Sequence, residues 1–133
     1  MDIPNILVVD DELEIHNTIK SFLNERIESN IYKAQNGEEA LEVLKKLVCD
    51  IMILDIRMPK KNGLHVLDEM KTVAGGDVEA IVITAWDSDL VAEECVKRNV
   101  ECIPKPVILT ELYDKVIKIL QKKNKCFFRK AKG

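Results

Sequence analysis

Five side chains with chemically useful groups come directly after short apolar runs of the sequence. They comprise two adjacent carboxylates, a third carboxylate, a hydroxyl and an ammonium group: Asp10, Asp11, Asp55, Thr84 and Lys105. A carboxylate can act as a nucleophile, while a hydroxyl, an ammonium and a metal ion can stabilise the oxygens of a transferred phosphoryl group. If the fold brings these groups together, they could accept a phosphoryl group. Taken singly, each has an ordinary structural explanation, such as helix capping by Asp10.

The three acids would repel each other strongly at a shared site. Two carboxylates about 4 Å apart repel by roughly 4 kcal/mol at an effective dielectric constant of about 20. Three such pairs could consume most of the ~5–15 kcal/mol by which a domain is stable. A bound divalent cation would relieve this repulsion, and oxygen-only ligands favour Mg²⁺ over zinc. We therefore expect Mg²⁺ as the cofactor, Asp55 as the nucleophile because it stands alone, and the adjacent Asp10 and Asp11 as metal-binding groups.

The segments around these residues alternate between two hydrophobic patterns. Short continuous apolar runs predict buried strands, and apolar residues spaced three or four positions apart predict helices. The predicted strands are 6–9, 31–34, 51–54, 80–83 and 101–104; the first predicted helix runs through the high twenties, and the others are 38–47, 63–73, 89–98 and 109–120. This alternation predicts a doubly wound α/β domain with a parallel sheet. Its ligand would lie beyond the carboxyl ends of the strands, where the five side chains are expected.

The composition fits one domain with an acidic body. The chain has 133 residues, 47% of them hydrophobic, and no apolar run approaches the ~18 residues of a membrane span. We therefore expect a cytoplasmic protein. Seven of the 20 Lys and Arg residues lie in 118–133, so the remaining 13 face 23 acids and give a net charge of −10. Such a charge disfavours binding to nucleic acid and favours binding of cations.

The cysteines and histidines do not form a recognisable site in the sequence. The four cysteines are scattered without a C-x-x-C pair, so neither a zinc site nor a disulfide framework is indicated. His16 and His65 lie on predicted helices with no second metal ligand nearby. We interpret both histidines as structural or surface residues.

Four motifs together resemble the receiver domains of bacterial response regulators. They are V-V-D-D-E at 8–12, D-I-R-M-P-K-K-N-G at 55–63, Thr84-Ala85 and Lys105-Pro106, in the order and spacing of that family. The resemblance covers residues 5–120. It implies a five-stranded parallel sheet of order 2-1-3-4-5, flanked by five helices. It also implies a receiver domain at 1–120, followed by a basic tail or linker at 121–133.

The resemblance also implies a separate role for each of the three acids. Asp55 would be phosphorylated by a histidine kinase, a histidine phosphotransfer protein or a small phosphodonor. Asp11, Asp55 and the backbone carbonyl of Arg57 would bind Mg²⁺ directly, and Asp10 would act mainly through water. The domain would catalyse only its own phosphorylation and dephosphorylation, so it would be a signalling switch rather than an enzyme acting on other substrates.

Of the other two site residues, Thr84 would hydrogen-bond to the phosphoryl group and Lys105 would form an ion pair with it. Relatives have a cis peptide bond between this lysine and the following proline. One position departs from the family pattern, because Cys102 stands where relatives usually carry a Tyr or Phe that rotates on activation. We expect phosphorylation to survive this change and activation to depend more on the Thr84 loop. Trp86 and the Arg57 side chain are expected to shield the acyl phosphate from water.

Two other functions remain open from the sequence. A hydrolase that forms an aspartyl phosphate would also place an Asp after a strand, but it would carry a second acid where this chain has Arg57. A domain that binds partners without phosphate would not need the intact set of site residues. In the receiver interpretation, phosphorylation would change contacts with an output domain or a downstream protein and could drive dimerisation. The basic tail is interpreted as a frayed helix end or a linker; a membrane-surface contact is less favoured.

Overall fold

The computed structural model of the protein describes residues 3–56, 63–73, 77–84, 89–126 and 128. Five strands alternate with five helices in these residues. The strands are β1 Asn5–Val9, β2 Asn30–Ala34, β3 Ile51–Ile56, β4 Glu79–Thr84 and β5 Glu101–Pro104. The helices are α1 Leu13–Asn24, α2 Gly37–Lys46, α3 Gly63–Val73, α4 Asp89–Lys97 and α5 Leu109–Lys122. The strands form one parallel sheet in the order β2-β1-β3-β4-β5, which confirms the predicted doubly wound fold and its strand order.

The central strands β1, β3 and β4 carry buried side chains on both faces of the sheet. Side chains on one face, such as Leu7, pack with residues of α2, α3 and α4, such as Leu67. Side chains on the other face, such as Ile6, pack with residues of α1 and α5, such as Leu112. Full burial of each such side chain contributes roughly 1.5–3 kcal/mol. Two hydrophobic layers therefore fix the sheet and, with it, the positions of the residues at the strand ends.

The helices are short, and one of them begins with a well-formed cap. Asn36 Oδ1 accepts a hydrogen bond from Glu39 N at 2.9 Å, and Glu39 Oε2 accepts one from Gln35 N at 2.7 Å. This reciprocal arrangement satisfies two amides at the start of α2 and fixes where the helix begins. None of the helices in the described part of the chain is long and apolar enough to cross a membrane.

The first helix ends earlier than the sequence predicts. α1 stops at Asn24 rather than in the high twenties, so the predicted bound is wrong. The side chain of Ile27 is fully buried, and its backbone forms an isolated antiparallel bridge with Phe128. The chain leaves the helix here because Ile27 fills the core and β2 begins at Asn30, only three residues later.

The amino ends of the strands, here called the amino edge, are joined by Asp50, which directly precedes β3. Its carboxylate accepts hydrogen bonds from Asn5 N at 3.0 Å and from Lys125 Nζ at 3.0 Å. Its backbone carbonyl accepts hydrogen bonds from Lys123 Nζ at 2.9 Å and from Glu79 N at 3.0 Å. The residues that directly follow α5 therefore pack against the body of the domain.

Candidate functional site

Four of the candidate residues meet at the carboxyl ends of the strands, here called the carboxyl edge. Asp10 directly follows the β1 residue that pairs with residue 54 of β3, so the parallel register sets it beside Asp55. Thr84 is the last residue of β4, and its carbonyl accepts a hydrogen bond from Lys105 N at 2.8 Å. The topology thus brings two carboxylates, a hydroxyl and an ammonium to one edge from four segments of the chain.

Asp55 and Lys105 form an ion pair at this edge. Lys105 Nζ donates to Asp55 Oδ2 at 2.7 Å. The side chain of Asp55 is 3% exposed and that of Lys105 is 27% exposed, so the ammonium reaches a carboxylate that is almost enclosed. The Lys105–Pro106 peptide bond is cis, as the family resemblance implied. The pair sets a cation directly against the carboxylate that the sequence analysis proposed as the nucleophile.

Asp10 is buried within hydrogen-bonding reach of Asp55. Burial and the neighbouring Asp55 carboxylate raise the pKa of Asp10 from 3.8 to about 7, although the Glu12 amide and Lys105 act to lower it. Glu12 N donates to Asp10 Oδ1 at 2.8 Å. Two carboxylates in contact are unfavourable unless one takes up a proton or a cation binds beside them. An enclosed pair of oxygen donors fits a hard cation such as Mg²⁺.

The hydroxyl of Thr84 is buried at the same edge, since the residue is only 4% exposed. Its Oγ1 has no hydrogen-bond partner among the described residues. A buried polar group left in this way costs about 1–3 kcal/mol. An acceptor oxygen that reaches this hydroxyl would therefore be stabilised there.

The other residues with predicted roles are Asp11, Arg57 and Trp86. Asp11 follows Asp10 in the chain but is exposed. Within 3–56, 63–73, 77–84 and 89–126, no group of three or more His, Cys, Asp or Glu residues is arranged to hold a metal ion. Arg57 and Trp86, to which the sequence analysis gave roles, lie outside the described residues. Asp10 and Asp55 are thus the two carboxylates whose interaction the described residues show, and the roles of Asp11 and Arg57 as metal ligands stay predictions.

This arrangement of residues at the strand ends is found in a known protein family. A family model described as the response regulator receiver domain matches residues 6–117. The chain belongs to the response regulator receiver domain family. The matched residues run from β1 into α5, so they include every strand end that contributes to the carboxyl edge.

Individual relatives agree with this assignment. An uncharacterised response regulatory protein of Staphylococcus epidermidis is 31% identical over 110 residues, which cover 80% of this chain and 43% of that protein. The crystal structure of a response regulator receiver domain protein from Clostridium thermocellum is 26% identical, with a TM-score of 0.81 over 92% of this chain and 98% of that one. A CheY-like receiver domain from Methanospirillum hungatei shares the fold, with a TM-score of 0.80 at 21% identity over 93% of this chain and 98% of that one. The chain thus spans less than half the length of the Staphylococcus relative.

One residue that the sequence analysis left out of the site, His16, lies directly behind it in this receiver domain. The residue is 4% exposed, and its Nε2 lies 2.6 Å from the carbonyl oxygen of Asp10. Because a carbonyl oxygen only accepts hydrogen bonds, Nε2 is the donor. A signal was available in the sequence: His16 precedes the buried Ile19 and Leu23 by three and seven positions, which places it on the inner face of α1.

Cys102, at the position where relatives carry an aromatic residue, is half-buried in β5. Its thiol lies close enough to the buried thiol of Cys95 in α4 for the two groups to interact. Burial raises the pKa of Cys95 to about 12 and also raises the pKa of Cys102. Both thiols are therefore protonated at neutral pH. A small side chain, rather than an aromatic ring, joins β5 to α4 in this receiver domain.

Proposed function

We propose that this receiver domain accepts a phosphoryl group on Asp55 with the help of Mg²⁺, and that phosphorylation changes its contacts with a partner. The observation that carries the proposal is the enclosed pair of Asp10 and Asp55, with Lys105 Nζ 2.7 Å from Asp55. A carboxylate, an ammonium and a buried hydroxyl at one edge suit phosphoryl transfer. Membership of the receiver domain family supports the same function.

In the proposed reaction, an oxygen of Asp55 forms a bond to phosphorus while the bond between phosphorus and the donor breaks. The leaving atom of the donor keeps the electrons of that bond. Lys105, which now donates to Asp55, would also donate to a phosphoryl oxygen, and the Thr84 hydroxyl would donate to another. Attack by water on the phosphorus would later break its bond to the Asp55 oxygen, release inorganic phosphate and restore the carboxylate, which makes the switch slowly self-reversing.

The proposed cofactor would bind beside the paired carboxylates. Asp10 and Asp55 offer the oxygen donors that a hard cation prefers. Asp11 and the backbone carbonyl of Arg57 are the further ligands that the family resemblance implies. Mg²⁺ would supply neutralisation of the charge on the phosphoryl oxygens. It would also lower the pKa of Asp10, because a nearby cation stabilises the charged carboxylate.

The proposed partners follow from the chemistry and from the length of the relatives. The phosphodonor would be a histidine kinase or a histidine phosphotransfer protein in the cytoplasm, and a small phosphodonor would serve in vitro. The chain spans 43% of the Staphylococcus epidermidis response regulatory protein, so we propose an output domain or a downstream protein as the recipient of the signal. Dimerisation on phosphorylation is a further proposed outcome. The unit that accepts the phosphoryl group is proposed to end near residue 120.

Asp55→Asn tests the proposal, and Asp50→Asn is its matched control. Each substitution removes one enclosed carboxylate. Asp55 lies in β3 at the carboxyl edge, and Asp50 directly precedes β3 at the amino edge. Each protein is incubated with Mg²⁺ and acetyl phosphate, and the mass of the intact chain is then measured. The wild type and folded Asp50→Asn should gain a phosphoryl group, whereas Asp55→Asn should gain none. Full labelling of Asp55→Asn would contradict the proposal, and steady turnover of phosphate esters by the wild type would favour a hydrolase instead.

A further inference from the structure

Asp10 is held at three points by groups from three segments of the chain. Its backbone amide donates to Ala34 O at 3.0 Å, its Oδ1 accepts from Glu12 N at 2.8 Å, and its carbonyl accepts from His16 Nε2 at 2.6 Å. The amide and Oδ1 are bonded to backbone groups, which a change of side chain elsewhere would not remove. The partner of the carbonyl is a side chain, so this hydrogen bond depends on the identity of residue 16.

The hydrogen bond from His16 fixes the peptide plane that joins Asp10 to Asp11. The carbonyl of Asp10 and the amide of Asp11 lie in this one rigid plane. Its orientation sets the direction in which the chain leaves β1, and hence where the Asp11 side chain begins. Asp11 itself is exposed, so the direction of its backbone matters for where its carboxylate can reach.

We propose that His16 is a positioning residue, which sets the Mg²⁺ affinity of the carboxyl edge by holding the Asp10 carbonyl. The inference rests on the proposed function, because it takes Asp10 as part of the metal site. His16 acts through Asp10 and touches neither the metal nor the phosphoryl group. Its Nδ1 is buried and has no hydrogen-bond partner in the described part of the chain, so the bond from Nε2 is the polar contact that orients the ring.

Three substitutions separate this hydrogen bond from packing. Gln places an amide nitrogen as many bonds from Cβ as the Nε2 of His, so His16→Gln can keep the donor. Asn is one carbon shorter, so His16→Asn keeps an amide but withdraws it from the carbonyl. His16→Leu keeps a buried apolar volume and removes the donor. Ile19→Val is the matched control, because Ile19 is buried one turn further along α1 and its side chain makes no hydrogen bond.

Calorimetric titration of each 133-residue chain with Mg²⁺ gives the first readout. We expect His16→Asn and His16→Leu to bind Mg²⁺ about tenfold more weakly than the wild type, which is the lower end of what loss of a ligand-orienting group causes. His16→Gln should bind Mg²⁺ with nearly the affinity of the wild type. Ile19→Val should bind Mg²⁺ as tightly as the wild type does, even if its free energy of unfolding is lower. Equal Mg²⁺ affinity in all variants, or equal weakening in His16→Gln and His16→Asn, would overturn the proposal.

A second readout without metal separates this inference from the proposed function. Glu12 N donates to Asp10 Oδ1, so its hydrogen exchange reports whether the acidic loop is held. Exchange should be about fivefold faster in His16→Asn and His16→Leu, as expected for the loss of one hydrogen bond, and unchanged in His16→Gln. If the wild type binds no Mg²⁺, the proposed function fails and the proposed effect of His16 on affinity fails with it. Unchanged exchange in His16→Asn and His16→Leu would overturn the positioning role alone.

Discussion

Strand β3 has an enclosed aspartate at each end, and each aspartate is paired with a lysine. At the amino edge, Lys125 Nζ lies 3.0 Å from Asp50, and at the carboxyl edge, Lys105 Nζ lies 2.7 Å from Asp55. The exposed fractions of the two aspartate side chains are similar, 7% for Asp50 and 3% for Asp55. Burial and pairing with lysine therefore do not distinguish the two edges.

The groups around each ion pair do distinguish them. Both carboxylate oxygens of Asp50 accept hydrogen bonds, one from an amide and one from an ammonium. At the carboxyl edge a second buried carboxylate, Asp10, adjoins Asp55, and the Thr84 hydroxyl has no partner among the residues described. The amino edge is satisfied by the chain itself, whereas the carboxyl edge carries an excess of negative charge. Such an excess, rather than a buried ion pair, marks the edge that is suited to binding.

The largest expected effect on stability is at the amino edge. Asp50→Ala should lower the free energy of unfolding by about 3 kcal/mol, because it leaves enclosed donors without their acceptor. Urea denaturation measures this loss. Glu42→Ala is the control, since its pair with Lys45 is exposed and should contribute less than about 0.5 kcal/mol. If both substitutions have the same small effect, the contacts of Asp50 at the amino edge stabilise the domain no more than an exposed ion pair does.

The next effect concerns the excess charge at the carboxyl edge. The pKa of Asp10 is raised to about 7 in the folded state, so between about pH 4 and pH 7 the folded chain binds more protons than the unfolded chain. This carboxyl therefore reduces the stability of the metal-free domain as the pH rises through that window. Asp10→Asn removes the effect.

At about pH 8, with Mg²⁺ absent, Asp10→Asn should unfold with a free energy about 2 kcal/mol higher than the wild type. The difference should shrink towards zero near pH 4. Urea denaturation of both proteins across this range checks the prediction. A difference that does not change with pH would show that burial of the Asp10 carboxylate does not strain this edge.

The smallest effect separates Lys122, the last residue of α5, from Lys125, which lies three positions later. Lys125→Met should cost about 1 kcal/mol, because it removes one hydrogen bond from the Asp50 carboxylate while Lys123 Nζ stays 4.0 Å from that carboxylate. Lys122→Met should change stability by less than about 0.5 kcal/mol, because Lys122 is 73% exposed where it pairs with Glu79. Thermal unfolding of the two variants measures the difference. Equal effects would mean that the contact with Asp50 adds nothing beyond a surface charge.

Much of the fold and of the carboxyl edge could be predicted because both depend on a local pattern. The central strands β1, β3 and β4 coincide with continuous apolar runs, and Asp10, Asp55 and Thr84 directly follow or end these runs, while Lys105 directly follows β5. A parallel sheet then brings such residues to one edge whatever their distance in the sequence. The strand bounds were less accurate: β3 extends to Ile56, because its pairing with β4 continues past the apolar run.

The features that could not be predicted depend on single contacts. These contacts join residues that are far apart in the sequence, or a side chain and a backbone group. Asp50 meets Asn5 and Lys125, which are 45 and 75 positions away, and no local pattern indicates such partners. The basic residues after α5 were interpreted from their charge alone, which does not say which acid they contact. The spacing of His16 indicates that it is buried, but it does not indicate its partner, because a backbone carbonyl has no sequence signal of its own. The roles given to Arg57 stay predictions.

The length of β3 has a consequence for how the two edges influence each other. Asp50 and Asp55 are five positions apart in an extended strand, or about 17 Å at roughly 3.3 Å per residue. Over that distance two unit charges interact by only about 1 kcal/mol at an effective dielectric constant of about 20, and salt reduces this further. A new charge on Asp55 would thus change the electrostatic energy of the Asp50 ion pair only slightly. The amino edge could accordingly be adjusted for heat resistance while the reactivity of the opposite edge stays as it is.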